Sequence, residues 1–115
     1  MKPIRAAESL GALAHEYRLA IYRLLIRQGP EGLPAGAVGK RVGLTPSSLT
    51  FHLQSLQAAG LIRQIRAGRQ LIYSADFAAM NALVGYLTDE CCIDSAECVQ
   101  ECEPARTSRK PKRVA

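Results

Sequence analysis

One helical stretch with clear signals at both ends, residues 46–59, constrains the fold of this chain most. Thr45 is a residue type that caps helix N-termini, and Pro46 follows at the first helical position, where its missing N–H is harmless. Gly60 stands where a left-handed residue commonly ends a helix. The leucines within the stretch repeat at four and three residues, which predicts a helix with one face packed on a core.

The opposite side of this helix is neutral, polar and small, with one aromatic ring. At about 100° per residue it carries Ser47, Phe51 and Gln54, flanked by Ser48 and Thr50. A face without charge is a poor solvated surface but suits the reading of base edges in a major groove. The DNA contacts predicted on this helix are Thr45, Ser47, Ser48, Thr50, Phe51 and Gln54.

A basic hairpin follows the helix. Residues 61–66 and 69–74 are rich in β-forming side chains and are joined at Ala67-Gly68, which predicts a tight turn. The DNA contacts predicted on this hairpin are Arg63, Arg66 and Arg69. A base-reading helix next to an arginine-tipped hairpin indicates a winged helix-turn-helix. The alternative is a small core unit of strands and a helix whose turn is basic by coincidence.

Four more helices are expected around this unit. The first covers residues 4–13, and the second covers residues 15–28, with Leu19, Tyr22, Leu25 and Ile26 on its core face. Residues 31–34 are predicted as a loop, and Gly43-Leu44 as the turn between the two helices of the helix-turn-helix. The remaining helices are predicted at residues 34–42 and, capped by Asp76, at residues 77–87. The predicted fold class is therefore mainly α with a small β-hairpin.

The first and last helices carry apolar residues that this core does not require. These residues are Leu10 and Leu13 on the first helix and Phe77, Met80, Leu83, Val84 and Leu87 on the last. We expect the two helices to bury these faces across the two-fold axis of a homodimer; a monomer that packs both on its own core is the alternative. A dimer also suits DNA, because two recognition helices can meet half-sites one helical turn apart.

Charge divides the chain into three parts. Residues 1–87 carry ten Lys and Arg against four acids, residues 88–103 six acids and no base, and residues 104–115 five bases and no acid. A basic body favours a nucleic-acid partner. We assign residues 1–88 to DNA binding and dimerisation and residues 89–103 to a cysteine-rich segment. Residues 104–115 have the composition of a disordered basic arm.

Other functional classes fit the sequence less well. No long apolar run is available for a membrane span, and no secretory signal follows the N-terminal Met1, so we expect a chain in the reducing cytoplasm. Cysteines there are more often thiols or metal ligands than disulfides. His15 and His52 are interpreted as structural hydrogen-bonding residues, and no nucleophile–base pair is evident, so we expect no enzyme.

Three parts of the chain together resemble the ArsR/SmtB family of bacterial repressors. Residues 12–25 look like the opening of the family, residues 44–53 look like its recognition helix, and residues 59–73 look like the first strand and wing. The resemblance implies a homodimeric winged-helix repressor that leaves its operator when it binds a metal or metalloid. Phe51 departs from a position often occupied by His or Arg in these helices.

The cysteines indicate which ion such a repressor would sense. Residues 34–42 contain no cysteine and residues 76–90 no histidine, so two other sensing sites of the family lack their ligands. Thiolates without imidazole favour a soft ion. The pattern resembles the arsenic-responsive members, whose cysteine trio lies just after the last helix. This resemblance implies that Cys91, Cys92 and Cys98 bind arsenite or antimonite, which would derepress arsenic-resistance genes.

Several alternatives stay open at this point. Zinc or cadmium would require four ligands, which Cys102 could complete. The cysteines could instead form a redox or sulfur-responsive switch on the same fold. They could also belong to a metalloid-sequestering chaperone, or be thiols without a function.

Overall fold

The structure, a computed structural model, describes residues 1–96 and confirms the predicted fold class. Within that range lie five helices and three short strands in a winged helix-turn-helix arrangement. In chain order they are α1 (Pro3–Leu13), α2 (Glu16–Gln28), β1 (Leu33–Pro34), α3 (Ala35–Val42), α4 (Pro46–Ala58), β2 (Ile62–Ala67), β3 (Gln70–Ala75) and α5 (Phe77–Thr88).

Both ends of α4 form as the sequence predicts. The Thr45 hydroxyl accepts a hydrogen bond from the backbone N–H of Ser48 at 3.5 Å. At the other end Gly60 has a φ of 79°, and the N–H of Leu61 donates to the carbonyl of Leu56 at 3.1 Å. The helix is therefore stopped by local signals at each end, independently of what it packs against.

The core lies where α2, α3 and α4 meet the sheet. Its largest fully buried side chains are Ile21, Leu25, Leu53, Leu56, Leu61 and Val38. The prediction that Leu19 belongs to this core is wrong, since 45% of its surface is exposed. At about 100° per residue, Leu19 lies roughly 115° from the centre of the face that Ile21, Tyr22 and Leu25 bury.

The predicted loop at residues 31–34 is also partly wrong. Leu33 and Pro34 form β1, which pairs antiparallel with β3 so that the strand order is β1-β3-β2. Gly32 allows this pairing because its φ is 71° and a side chain there would collide with the carbonyl of Tyr73. Pro34 consequently precedes α3 as its N-cap residue, and α3 begins one residue later than predicted.

The turn of the wing lies one residue later than the sequence indicates. Ala67 pairs with Gln70 as the last pair of β2 and β3, which leaves Gly68 and Arg69 as the two-residue loop. Gly68 has a φ of 65°. A positive φ at the first loop position is what a type II′ turn requires, and glycine adopts it without strain. Arg69 therefore lies at the tip of the hairpin and not in its second strand.

The two terminal helices, α1 and α5, each pack on the rest of the chain along one side and leave apolar side chains exposed on the other. α1 packs on α2 and α4 and also contacts α5, and its buried residues are Ala6 and Ser9. The predicted apolar face of α5 is divided: Leu83 is buried, whereas Val84 is 38% and Leu87 57% exposed. Ile4 and Leu10 of α1 are exposed as well. Among the described residues no helix is both long and apolar enough to cross a membrane.

Candidate nucleic-acid interface and thiol pair

The exposed face of α4 carries all the helix positions predicted to contact DNA. Thr45, Ser47, Ser48, Thr50, Phe51 and Gln54 are exposed, whereas Leu49, Leu53 and Leu56 on the other side are buried. No charged residue occurs in α4. The large apolar side chain on the exposed face is Phe51, which is 60% exposed. α4 therefore presents a neutral surface, fixed from behind by its leucines.

Two hydroxyl groups along α4 are oriented by the helix backbone. The Thr50 hydroxyl donates to the carbonyl of Pro46 at 2.9 Å, and the Ser55 hydroxyl donates to the carbonyl of Phe51 at 3.2 Å. Their oxygens keep lone pairs that can accept a hydrogen bond, and the amide of Gln54 can both donate and accept. Such a set of donors and acceptors is the kind that matches base edges in a major groove.

The wing brings two of its three predicted arginines to the tip. Arg66 pairs with Leu71 near the turn, and Arg69 lies in the turn itself. Arg63 pairs with Ser74, closer to the base of the hairpin. All three arginines are exposed, but Arg63 and Arg66 point to opposite faces of β2 because they are an odd number of residues apart.

A further arginine lies next to the neutral face of α4, and sequence patterns do not predict it. The Nε of Arg18 in α2 donates to the Nδ1 of His52 in α4 at 3.1 Å. The guanidinium carbon of Arg18 also lies 5.6 Å from the centre of the Phe51 ring. Arg18 and His52 are 34 positions apart, so only the packing of α2 on α4 reveals this contact.

Both histidines act as hydrogen-bonding residues, as the sequence predicts. The Nδ1 of His15 accepts from the backbone N–H of Tyr17 at 3.1 Å and so caps α2. Burial lowers the pKa of His52, and the electrostatic influence of the neighbouring His15 and Arg18 lowers that pKa further. The neutral imidazole is thus favoured, which is the form whose Nδ1 can accept from Arg18.

Two of the three predicted arsenite ligands, Cys91 and Cys92, lie in the described part of the chain. Cys91 and Cys92 follow α5 in a series of turns, and their Sγ atoms are 3.8 Å apart. Cys92 has a φ of 62°, which is uncommon for a residue other than glycine. Cys98 and Cys102 lie outside the described residues. Within residues 1–96, no three His, Cys, Asp or Glu side chains are placed to hold one metal ion.

Comparison with known proteins identifies relatives that cover the helix-turn-helix unit and more. Residues 13–65 match a family of helix-turn-helix domains. The HTH-type transcriptional regulator YgaV of Escherichia coli K12 is 33% identical over 88 residues, which are 76% of this chain and 87% of that protein. The nodulation protein NolR of Rhizobium meliloti is 34% identical over 84 residues, which are 73% of this chain but only 66% of NolR.

A solved structure agrees with these sequence matches. It is the homodimeric winged helix-turn-helix DNA-binding domain of Mb0332 from Mycobacterium bovis, described as a possible ArsR-family transcriptional regulator. Its TM-score to this chain is 0.59 at 29% identity, and the match covers 81% of this chain and 86% of that domain. On its fold and its relatives, the chain belongs to the ArsR family of winged helix-turn-helix transcriptional regulators.

Proposed function

We propose that this chain is a homodimeric repressor that binds operator DNA and leaves it when trivalent arsenic or antimony binds to Cys91, Cys92 and Cys98. Release would derepress arsenic-resistance genes. The observation that carries the proposal is the Cys91–Cys92 pair, whose sulfurs lie 3.8 Å apart directly after α5. The sequence places four cysteines within residues 91–102, and such a cluster is difficult to explain as thiols without a function.

The spacing of the two sulfurs suits binding to one soft ion. A tetrahedral ion with metal–sulfur bonds of about 2.3 Å holds two sulfurs about 3.8 Å apart, so one ion can bridge this pair with little movement. A trivalent metalloid needs a third sulfur, for which Cys98 is proposed, six positions after Cys92. Cys102 is the candidate for a fourth ligand, which zinc or cadmium would need.

The operator contacts are proposed on the neutral face of α4 and the tip of the wing. The exposed side chains of α4 would read base edges, and Arg66 and Arg69 would bind phosphates on either side of the groove. The homodimer would form through the apolar side chains that α1 and α5 leave exposed, namely Ile4, Leu10, Val84 and Leu87. The domain of Mb0332 is likewise homodimeric.

The proposed switch acts through α5. Cys91 lies three residues beyond Thr88, the last residue of α5, and its N–H donates to the Thr88 carbonyl at 3.1 Å. An ion that ties Cys91, Cys92 and Cys98 together would therefore displace the end of α5 and change the spacing of the two α4 helices across the dimer. A coupling of about 1–3 kcal/mol is enough for release, and operator DNA must then weaken arsenite binding by the same factor.

The test is fluorescence anisotropy with a DNA duplex from the region upstream of the protein's own gene, with and without arsenite. We expect Cys91→Ser, Cys92→Ser and Cys98→Ser each to stay on DNA in arsenite, with wild-type affinity in its absence. Cys102→Ser is the matched control and should be released almost normally. A Cys102→Ser protein that stays bound in arsenite would assign the ion to a different trio. Wild-type protein that stays on DNA in both arsenite and antimonite would rule out a trivalent metalloid as the inducer.

A thiol redox switch on the same fold is the second candidate, and the same observation favours it. Two sulfurs 3.8 Å apart next to an exposed helix end are within reach of the same oxidant or sulfur donor. Titration of the reduced protein–DNA complex with peroxide or sulfane sulfur separates this candidate from the first. If these reagents release the protein from DNA, a thiol reductant reverses the release and arsenite causes none, the inducing signal is a redox or sulfur signal and not a metalloid.

A further inference from the structure

We infer that Arg18 is a DNA phosphate contact and that His52 and Phe51 position its guanidinium beside the neutral face of α4. The inference rests on the proposed function, because it requires α4 to lie in a DNA groove. It adds to the proposed interface a residue from outside both the recognition helix and the wing.

The contacts of Arg18 fix its guanidinium from two directions. Its Nε donates to the Nδ1 of His52 at 3.1 Å, and the guanidinium carbon lies 5.6 Å from the centre of the Phe51 ring. This bond uses one of five N–H donors, and the two terminal nitrogens carry the other four. Two terminal nitrogens on one rigid plane match the oxygens of a phosphate, and the contacts hold the side chain in place before DNA arrives.

The position of Arg18 favours phosphate over a base edge. The side chain comes from α2 and reaches the flank of α4, whereas base edges lie along the floor of the groove. Phosphates line the edges of a groove, so a residue beside the recognition helix meets them first. The exposed face of α4 has no charge of its own, so Arg18 would supply a positive charge beside Phe51.

His52 is suited to hold an arginine because it is buried and neutral. Burial lowers its pKa most, and the electrostatic influence of His15 and Arg18 lowers that pKa further. The rings of His15 and Tyr17 lie 4.6 Å and 6.1 Å from the ring of His52. Protonation would turn Nδ1 from an acceptor into a donor and place a second positive charge beside Arg18. DNA binding should therefore weaken as the pH falls into the range where His52 becomes protonated.

The first test measures how DNA affinity depends on salt concentration, using the upstream duplex and a duplex of random sequence. We expect Arg18→Ala to weaken binding to both duplexes about tenfold or more and to lower the salt slope by about 0.9 per protomer. Arg23→Ala removes the same charge from an exposed position of α2 and is the matched control, for which we expect a near wild-type slope.

Three results would overturn part of this account. An unchanged slope in Arg18→Ala, with normal wild-type binding, overturns the inference alone. A change in sequence preference in Arg18→Ala would assign Arg18 to a base edge and overturn the phosphate contact. Wild-type protein without affinity for either duplex would overturn the inference and the proposed function together.

The second test addresses positioning with two substitutions of His52. His52→Asn keeps an acceptor near the place of Nδ1 and cannot titrate, whereas His52→Phe keeps a ring and loses the acceptor. Since His, Asn and Phe have similar helix propensities, the pair differs chiefly in the acceptor. We expect His52→Phe to reproduce the slope of Arg18→Ala, with no further loss in the double variant. His52→Asn should keep the wild-type slope and lose the acid sensitivity.

Thermal unfolding of both variants separates positioning from folding, because a changed salt slope in a variant that unfolds at the wild-type temperature cannot come from a folding defect. A folded His52→Phe protein with the wild-type slope would overturn the positioning role. A His52→Asn protein that keeps the acid sensitivity would assign that sensitivity to another group.

Discussion

α4 and α5 are similar in length, but the faces they leave exposed have opposite chemistry. α4 has 13 residues and buries three leucines, while hydroxyl and amide groups line its other side. α5 has 12 residues and leaves Val84 and Leu87 exposed. Both helices bury apolar side chains against the core, so they differ in the chemistry of the side that stays exposed. A polar, neutral face suits base edges, and an apolar face suits a second copy of the chain.

The largest expected effect comes from placing a charge on the exposed face of α5. Leu87→Glu would bury an unpaired carboxylate in the proposed dimer interface, at a cost of several kcal/mol. We expect dimers to dissociate in analytical ultracentrifugation and operator affinity to fall about a hundredfold or more, since each 1.4 kcal/mol is a factor of ten. Ala78→Glu adds the same charge to an exposed position on the opposite side of α5 and should leave both unchanged. If the Leu87→Glu protein stays dimeric, the dimer interface lies elsewhere on the chain.

The next test separates base reading on α4 from phosphate binding on the wing. Gln54→Ala or Ser47→Ala should change which base pairs are preferred, by about 1–3 kcal/mol for each lost contact. Arg69→Ala should weaken binding to all sequences alike and lower the salt slope by roughly one unit per protomer. Binding selections from a randomised operator library, repeated at several salt concentrations, measure both. The assignment of the two surfaces fails if Arg69→Ala alters sequence preference while Gln54→Ala does not.

A smaller effect is expected from the caps of the same two helices. The carboxylate of Asp76 accepts from the N–H of Ala79 at 3.0 Å, whereas the hydroxyl of Thr45 accepts from Ser48 at 3.5 Å. Asp76 also places a negative charge at a helix N-terminus. We expect Asp76→Ala to lower the free energy of unfolding by about 1–2 kcal/mol and Thr45→Ala by about 0.5–1 kcal/mol, measured by urea unfolding. Asp76→Asn keeps a hydrogen-bond acceptor, so its free energy of unfolding should fall less than that of Asp76→Ala.

The smallest effect at neutral pH is expected at Tyr22. Its hydroxyl is buried without a hydrogen-bond partner in the described part of the chain. Burial and the negative charge of Asp76 raise the pKa of Tyr22 from 10.0 to about 12. We expect Tyr22→Phe to be as stable as wild type or more so, within about 1 kcal/mol at pH 7. A large loss of stability would mean that the hydroxyl makes a bond in solution.

The sign of the pH effect at Tyr22 follows from the direction of its shift. The pKa of this phenol is higher in the folded state than in the unfolded state. Its contribution to the free energy of unfolding is therefore fully present below pH 10, the ordinary pKa, and is lost as the pH rises towards about 12. Wild type should therefore lose more stability than Tyr22→Phe between pH 7 and pH 11 in urea unfolding. Equal losses in the two proteins would contradict the raised pKa.

Features that depend on neighbouring residues could be predicted from the sequence. The ends of α4 follow from Thr45, Pro46 and Gly60, and the wing follows from two β-rich runs around a glycine. The strand β1 could not be predicted, because two residues carry no periodic signal and its pairing partner, β3, lies about forty positions away. The prediction fails at Leu19 because an apolar pattern does not define the centre of the buried face.

The same distinction applies to the candidate sites. The exposed positions of α4 could be predicted because one helix holds them all, with its leucines on the other side. Arg18 could not, since its relation to Phe51 and His52 exists only once α2 packs on α4. The pairing of Cys91 with Cys92 follows from adjacency in sequence, whereas the roles of Cys98 and Cys102 stay predictions.

The neutral face of α4 has a consequence for how such a regulator could acquire new target genes. Under the proposed function, attraction to any DNA comes from arginines in α2 and the wing, while the choice of sequence lies with exposed side chains that contribute nothing to the core. Substitutions of Ser47, Ser48 or Gln54 on that face would redirect the protein to another operator and leave its folding and its search along the chromosome intact. A duplicated gene copy could thus diverge in target sequence through a few surface substitutions, none of which destabilises the fold.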